Sequence, residues 1–154
     1  MIKIISARVT FDGIEVTGTE SKDVFKLEKN EDIHSYKDIE YKLNVSLVND
    51  SILVKGTAKT VFKARCGKCL NLFNLKVCCK DICHLYESNN NNKIDLTEDI
   101  REDILISLPH KIICSDSCKG ICFTCGKNLN LEKCACSTEK ESFSEWDKLN
   151  NLDL

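Results

Sequence analysis

The run Cys122-Phe123-Thr124-Cys125-Gly126 sets two thiols two residues apart with a glycine behind the turn, which is the form of a zinc knuckle. Cys134-Ala135-Cys136 follows, and the stretch between the pairs holds turn formers (Gly126, Asn128, Asn130) that can fold the second pair back onto the first. Two such pairs supply the closed four-thiolate set that zinc takes up in structural sites, worth roughly 10–16 kcal/mol of apparent binding energy in small domains. That energy would compensate for a segment short of apolar residues. Casually buried free thiols are a poor alternative for four cysteines within residues 122–136. Dithiol exchange is the stronger rival, but its Cys-x-x-Cys sits at a helix start after a strand, a context not evident around Cys122.

The remaining cysteines are less decided. Cys66-Gly67-Lys68-Cys69 is a second knuckle, placed between two strand patterns. Cys114 and Cys118 are further candidate ligands: they could join the 122–136 set, complete a second four-cysteine site with Cys66 and Cys69, or stay free. Cys79 and Cys83 are expected on the inward face of a strand, as small core residues, and Cys78 on the outward face. His110, four residues before Cys114, is a remote ligand candidate.

Eleven cysteines in 154 residues mean disulfides in an oxidising compartment and metal or redox chemistry in a reducing one. The first eight residues contain no apolar run of signal-peptide length, no stretch elsewhere is long enough for a membrane-spanning helix, and an odd number of thiols cannot all pair within one chain. The expectation is a cytoplasmic protein with no membrane partner. His34, His84 and His110 lack a serine or carboxylate constellation at motif spacing, and glycine-rich phosphate loops are absent. The chain therefore reads as a non-enzyme without a small-molecule substrate.

The elements that must position these cysteines follow from periodicity. Tyr41, Leu43, Val45 and Leu47 alternate with polar residues, as in a half-buried strand. After the turn residues Asn49-Asp50-Ser51, a second strand points Ile52, Val54, Ala58, Phe62 and Ala64 one way and Lys55, Lys59, Lys63 and Arg65 the other. A third alternates Phe73, Leu75, Val77 and Cys79 with Asn74, Lys76, Cys78 and Lys80. Short strands at 2–5, 7–11, 14–17 and near 24–27 would complete a sheet. Beyond a polar loop at 88–92, Leu96, Ile100, Ile104 and Leu108 form a helical stripe, with Asp95 and Glu98 as N-terminal capping residues and Pro109 as its stop. The fold class is α+β: an N-terminal antiparallel β-sheet or small barrel, one central amphipathic helix and a C-terminal zinc-binding knuckle. The expected divisions are a β-rich domain at 1–87, loop and helix at 88–110, a cysteine-rich zinc module at 111–137 and a tail at 138–154. In the tail Phe143, Trp146, Leu149 and Leu152 could form a short docking helix.

Net charge is −2, yet residues 51–80 carry Lys55, Lys59, Lys63, Arg65, Lys68, Lys76 and Lys80 and no acid. On adjoining strands these would build a cationic face able to neutralise phosphates, and nucleic acid is the natural polyanion. A solvated outer face, with lysines guarding sheet edges, explains the same residues equally well. The nearby knuckle favours RNA, with Phe73 and Phe123 as candidates for base stacking.

Taken in order, Cys66-Gly67-Lys68-Cys69-Leu70, Asp95-Leu96-Thr97-Glu98, the run Ile104-Leu105-Ile106-Ser107-Leu108-Pro109, Cys118-Lys119-Gly120-Ile121-Cys122, Cys125-Gly126-Lys127-Asn128-Leu129-Asn130 and Cys134-Ala135-Cys136 resemble the bacterial YceD family, over roughly residues 41–136. Lys68 stands where that family often has arginine, and Phe123 where it commonly has proline. The resemblance implies a non-enzymatic factor needed for large-subunit ribosomal RNA to accumulate, acting on that RNA or its precursor, with ribosomal proteins or a nuclease as further candidate partners. Some relatives keep the first cysteine pair and lack the C-terminal cluster, so zinc would be a stabilising module there. Two other readings stay open: a protein-interaction adaptor working through helix 95–108 or the Trp146 tail, and a thiol-based redox sensor.

Overall fold

The computed structural model describes residues 1–25, 33–87 and 93–136. Its strands are β1 (Lys3–Ile5), β2 (Ile14–Glu20), β3 (Ile33–Tyr36), β4 (Ile39–Val48), β5 (Ser51–Arg65), β6 (Leu72–Glu87) and β7 (Lys93–Asp95), followed by one helix, α1 (Thr97–Ile106). The expected antiparallel α+β sheet protein is what the chain forms.

Strand β5 organises the sheet. Along one edge it pairs with β4 over residues 51–59 and with β3 beyond, and along the other it pairs with β6 for nearly its whole length. Strand β2 pairs with the far edge of β4. The barrel alternative fails, and the reason is where the short strands go. β1 pairs with β7 in a separate two-stranded ribbon, and β3 shares an edge of β5 with β4, so among the described residues no strand joins β2 to β6. The expected strand at 7–11 is replaced by a 3₁₀ turn at Ser6–Arg8 and a turn closed from Gly13 N–H to Thr10 O, with Gly13 at φ +77°. Residues 24 and 25 end another 3₁₀ turn, Lys22–Phe25, while Lys26, Leu27, the 88–92 loop and the 138–154 tail lie outside the described residues.

The period-two reading of β4 and β5 holds along most of both strands: Leu43, Val45, Ile52, Val54, Ala58, Phe62 and Ala64 are buried, Tyr41 and Leu47 half-buried, and Lys55, Lys59 and Lys63 exposed, while Arg65, expected outward, is half-buried. In β6 it holds only for the first half. Ala58 pairs with Cys79 but Gly56 pairs with Ile82, so β6 carries one residue more than β5 across this interval. Such a bulge reverses the parity of every later side chain. Val77 and Cys79 point inward as expected, whereas Cys83, expected inward, is exposed because Ile82 takes the core position.

Leu96, Ile100 and Ile104 of the helical stripe are buried against this face, joined by Phe25, whose ring lies 5.3 Å from Phe62 and 5.1 Å from Tyr36. The expected cap by Asp95 and Glu98 does not form: Leu96 is the N-cap and has no side-chain cap bond, Asp95 Oδ1 accepts from the Thr97 amide at 3.1 Å in the turn before the helix, and Glu98 turns away to Arg101. The polar side of α1 is also tied down: Asp103 meets His84 Nε2 at 2.6 Å, Asp99 accepts from the Tyr86 hydroxyl, and Arg101 Nε donates to Phe25 O at 3.0 Å. The helix thus clamps the end of the β5–β6 hairpin farthest from the cysteine turn.

Gly56, beside the bulge, leaves no room for a side chain: a Cβ there would sit 2.2 Å from Lys42 O and 2.8 Å from Leu43 Cα, both backbone atoms. Gly56→Ala is expected to cost about 1–3 kcal/mol, the usual penalty of overpacking, measured as a lowered midpoint in urea denaturation. An unchanged midpoint would contradict the close approach of β4 to β5.

Candidate metal centres

The turn joining β5 to β6 and the coil after α1 bring eight cysteines into two clusters. Cys66, Cys69, Cys114 and Cys118 form an inner tetrad, and Cys122, Cys125, Cys134 and Cys136 an outer one, with the four sulfurs of each within 4.8 Å of one another. In the inner tetrad Cys66 and Cys118 are 3.9 Å apart and Cys69 and Cys114 3.7 Å. In the outer one, the sulfur of Cys134 lies 3.3 Å from that of Cys122 and 3.4 Å from that of Cys125. A tetrahedron with metal–sulfur bonds of ~2.3 Å has edges of about 3.8 Å, whereas disulfide sulfurs stand ~2.0 Å apart. The spacings fit four ligands around one ion, and all eleven cysteines are free.

Both Cys-x-x-Cys turns are built alike. Leu70 N–H donates to Cys66 O at 2.9 Å and Gly126 N–H to Cys122 O at 2.8 Å, and both fifth residues are left-handed, at φ +62° and +70°. Glycine adopts this conformation freely, but a leucine there costs about 1–2 kcal/mol and persists only where the surroundings dictate the turn. Backbone amides point at the sulfurs: those of Lys68 and Cys114 reach Cys66 Sγ at 3.4 and 3.3 Å, and that of Cys136 reaches Cys134 Sγ at 3.3 Å.

Burial alone would raise the Cys66 thiol, but the amides of Cys69, Cys114 and Lys68 more than offset it and bring its pKa to about 6. The Cys125 amide and the Cys134 thiol bring Cys122 to about 6 as well. Cys136 moves the other way, up to about 12, because the sulfurs of Cys134 and Cys125 crowd it. At least one thiolate per cluster forms readily, and in the inner one Cys118, which burial alone would raise, is lowered as well by the Gly120 amide and Asn130. The last forms only against accumulated negative charge, which a divalent cation would neutralise.

The tetrads differ in setting. Cys66, Cys69 and Cys118 are buried, with Phe73 and Ile113 packed on them, whereas Cys125 is exposed and the other outer cysteines are half-buried. Asparagines fasten the outer module to the inner. Asn128 Nδ2 donates to Cys69 O at 3.5 Å, Asn130 Nδ2 to Cys118 Sγ at 3.5 Å, and Asn130 Oδ1 accepts from the Lys119 amide at 2.9 Å. Sequence reasoning treated both only as turn formers.

Other candidates scatter. His110 belongs to neither tetrad; it lines a cleft with Arg65, Lys68 and Lys111. Phe73 is partly covered by the inner cysteines, while Phe123 is wholly exposed. Lys55, Lys63, Lys76 and Lys80 are exposed on the outer sheet face with no ion pair among the described residues, but Lys59 is bound to Glu40 at 2.8 Å. Arg65 is half-buried, its Nη2 3.4 Å from His34 Nε2. Among the described residues no helix is long and apolar enough to cross a membrane.

Comparison with known proteins accords with this layout. A family model described as Large ribosomal RNA subunit accumulation protein YceD matches residues 81–153. Over that stretch, just under half of its length, the chain is similar to the YceD family. The curated relatives include the Large ribosomal RNA subunit accumulation protein YCED homolog 1, chloroplastic, of Arabidopsis thaliana, 39% identical over 60 residues, which are 39% of this chain and 18% of that protein. The protein of the same name in Zea mays is 40% identical over 45 residues, 29% of this chain and 15% of its own length. The matched stretches thus span less than a fifth of either relative. No solved structure matches. The YceD match takes in the outer tetrad and the inner pair Cys114 and Cys118, while Cys66 and Cys69 precede it and join them only through the fold.

Titrating reduced apoprotein with cobalt(II) should show two equivalents bound with the absorption of tetrahedral thiolate coordination. Loading should weaken as the pH falls, since protons compete with the metal for every thiolate. Cys66→Ser and Cys122→Ser should each remove one equivalent, and Cys78→Ser, on the exposed face of β6, none. Loss of both equivalents in either variant would mean that the tetrads are not separate sites.

Proposed function

We propose that this chain is a non-enzymatic, cytoplasmic factor that supports the accumulation of large-subunit ribosomal RNA by binding that RNA or its precursor particles, with zinc in both cysteine tetrads as structural staples. The observation that carries the reading is the YceD match over 81–153, whose printed description names large ribosomal RNA subunit accumulation. Physical support comes from the outer face of β5 and β6, where the ammonium groups of Lys55, Lys63, Lys76 and Lys80 stand without carboxylate partners among the described residues. Such a face attracts phosphates through counterion release. Closed four-thiolate sites suit a structural zinc, with no open position for substrate.

The adaptor alternative loses ground on the helix, because Asp99 and Asp103 are turned inward to Tyr86 and His84 instead of being offered to a partner; Trp146 lies outside the described residues. The redox-sensor alternative is opposed by the grouping of sulfurs in fours, with knuckle turns at a hairpin tip and in coil. Ribosomal proteins or a nuclease remain candidate secondary partners.

Replacing Lys55, Lys63 and Lys76 together by glutamate should abolish retention of large-subunit RNA at low salt, and in the wild type log K should fall linearly with log salt with a slope of about −3 or steeper. Gel retention across a salt series measures both. Wild-type protein with no affinity for the RNA or its precursor particles at low salt would refute direct binding.

A further inference from the structure

Two clefts meet at the tip of the β5–β6 hairpin. The smaller, about 330 Å³, is walled by Arg65, Lys68, His110 and Lys111, with Gly67 and Ile112 between them and, among the described residues, no carboxylate in its lining. The hydrogen bond from Gly67 N–H to Ile112 O, at 2.8 Å, brings the post-helix coil alongside the hairpin turn, and so sets His110 and Lys111 beside Arg65. Arg65 Nε is buried and has no hydrogen-bond partner among the described residues. What points to an anionic ligand is the lining itself, in which Arg65, Lys68 and Lys111 bring positive charge together with His110 beside them.

Lys68 and Gly67 also form one wall of the larger cleft, about 1090 Å³, lined further by Leu70, Lys119, Phe123, Lys133 and one carboxylate, Glu132, whose Oε2 lies 3.5 Å from Lys127 Nζ. Phe123, held between Cys122 and Cys125, has a relative exposure of 103%. A ring that buries nothing adds no packing energy, and a stable turn would form equally well without it. An exposed aromatic ring beside lysines is the arrangement on which unpaired bases stack, with the backbone phosphates held by cations.

We infer that a single RNA strand crosses the hairpin tip at Gly67 and Lys68, placing a phosphate in the Arg65, Lys68, His110 and Lys111 cleft and stacking a base on Phe123. This rests on the RNA-binding reading and adds to it a site distinct from the lysines of the sheet face. Duplex RNA, with its bases stacked on one another, cannot use Phe123, so the tip selects unpaired nucleotides.

The test is fluorescence anisotropy of zinc-loaded full-length protein with a labelled single-stranded oligoribonucleotide and with a duplex of the same sequence. Phe123→Ala should weaken single-strand binding about 5- to 150-fold, the range for loss of one stacked base, and leave duplex binding unchanged. Phe123→Tyr should bind like the wild type. His110→Ala combined with Lys111→Glu should lower the salt slope by about one. Both the Phe123→Ala and the His110/Lys111 variants should still take up two equivalents of cobalt, which excludes unfolding as the cause. Wild-type affinity in Phe123→Ala and in the His110/Lys111 variant, alongside lost binding in the Lys55, Lys63 and Lys76 variant, would overturn the tip site and leave the sheet face standing. Absence of RNA binding by the wild type would overturn both.

Discussion

Four thiolates cannot share a space less than 5 Å across unless a cation holds them, and the C-terminal part of the described chain is organised around that constraint. Between residues 109 and 136 only Cys118 and Gly120 are buried. A segment so poor in core residues cannot offset the entropy of ordering its backbone by apolar burial. Its backbone is instead shaped for sulfur, with the amides of Cys114 and Cys136 aimed at Cys66 and Cys134, and the hairpin turn it meets tolerates a left-handed leucine behind Cys69. The inner tetrad takes two ligands from the sheet and two from the coil, so the same ion that orders the coil would fix it to the hairpin.

What the sequence revealed followed how local each signal was. Alternation over Tyr41, Leu43 and Val45, and again from Ile52 to Ala64, is a property of consecutive residues, and both strands were legible. The bulge between Gly56 and Ala58 left no such mark, because an extra residue in β6 is defined only against the strand opposite, and Cys83 was assigned to the wrong face for that reason. Strands β1, β3 and β7 are three or four residues long, and β1 finds its partner some ninety positions away (Lys3 against Asp95), beyond any local pattern.

The cysteines divided in the same way. Cys122, Cys125, Cys134 and Cys136 lie close in sequence, so their grouping could be read from spacing. Cys66 and Cys118 are 52 positions apart, and their meeting depends on the path of the chain after α1. Spacing could therefore raise the second site as one option among three, and the fold brings the four sulfurs together. The cationic face was partly misjudged for a related reason: Lys59 and Glu40 are not near in sequence, but β4 and β5 set them directly opposite each other.

The β5–β6 hairpin also has a mechanical consequence. Strand β5 runs fifteen residues, about 50 Å at the usual rise. One end is clamped beneath α1 through His84 and Tyr86, and the other carries the cysteine turn. A two-stranded strut anchored at both ends acts as a ruler, and anything that engages the lysines midway along it and the aromatic tip together must present matching features at that fixed separation.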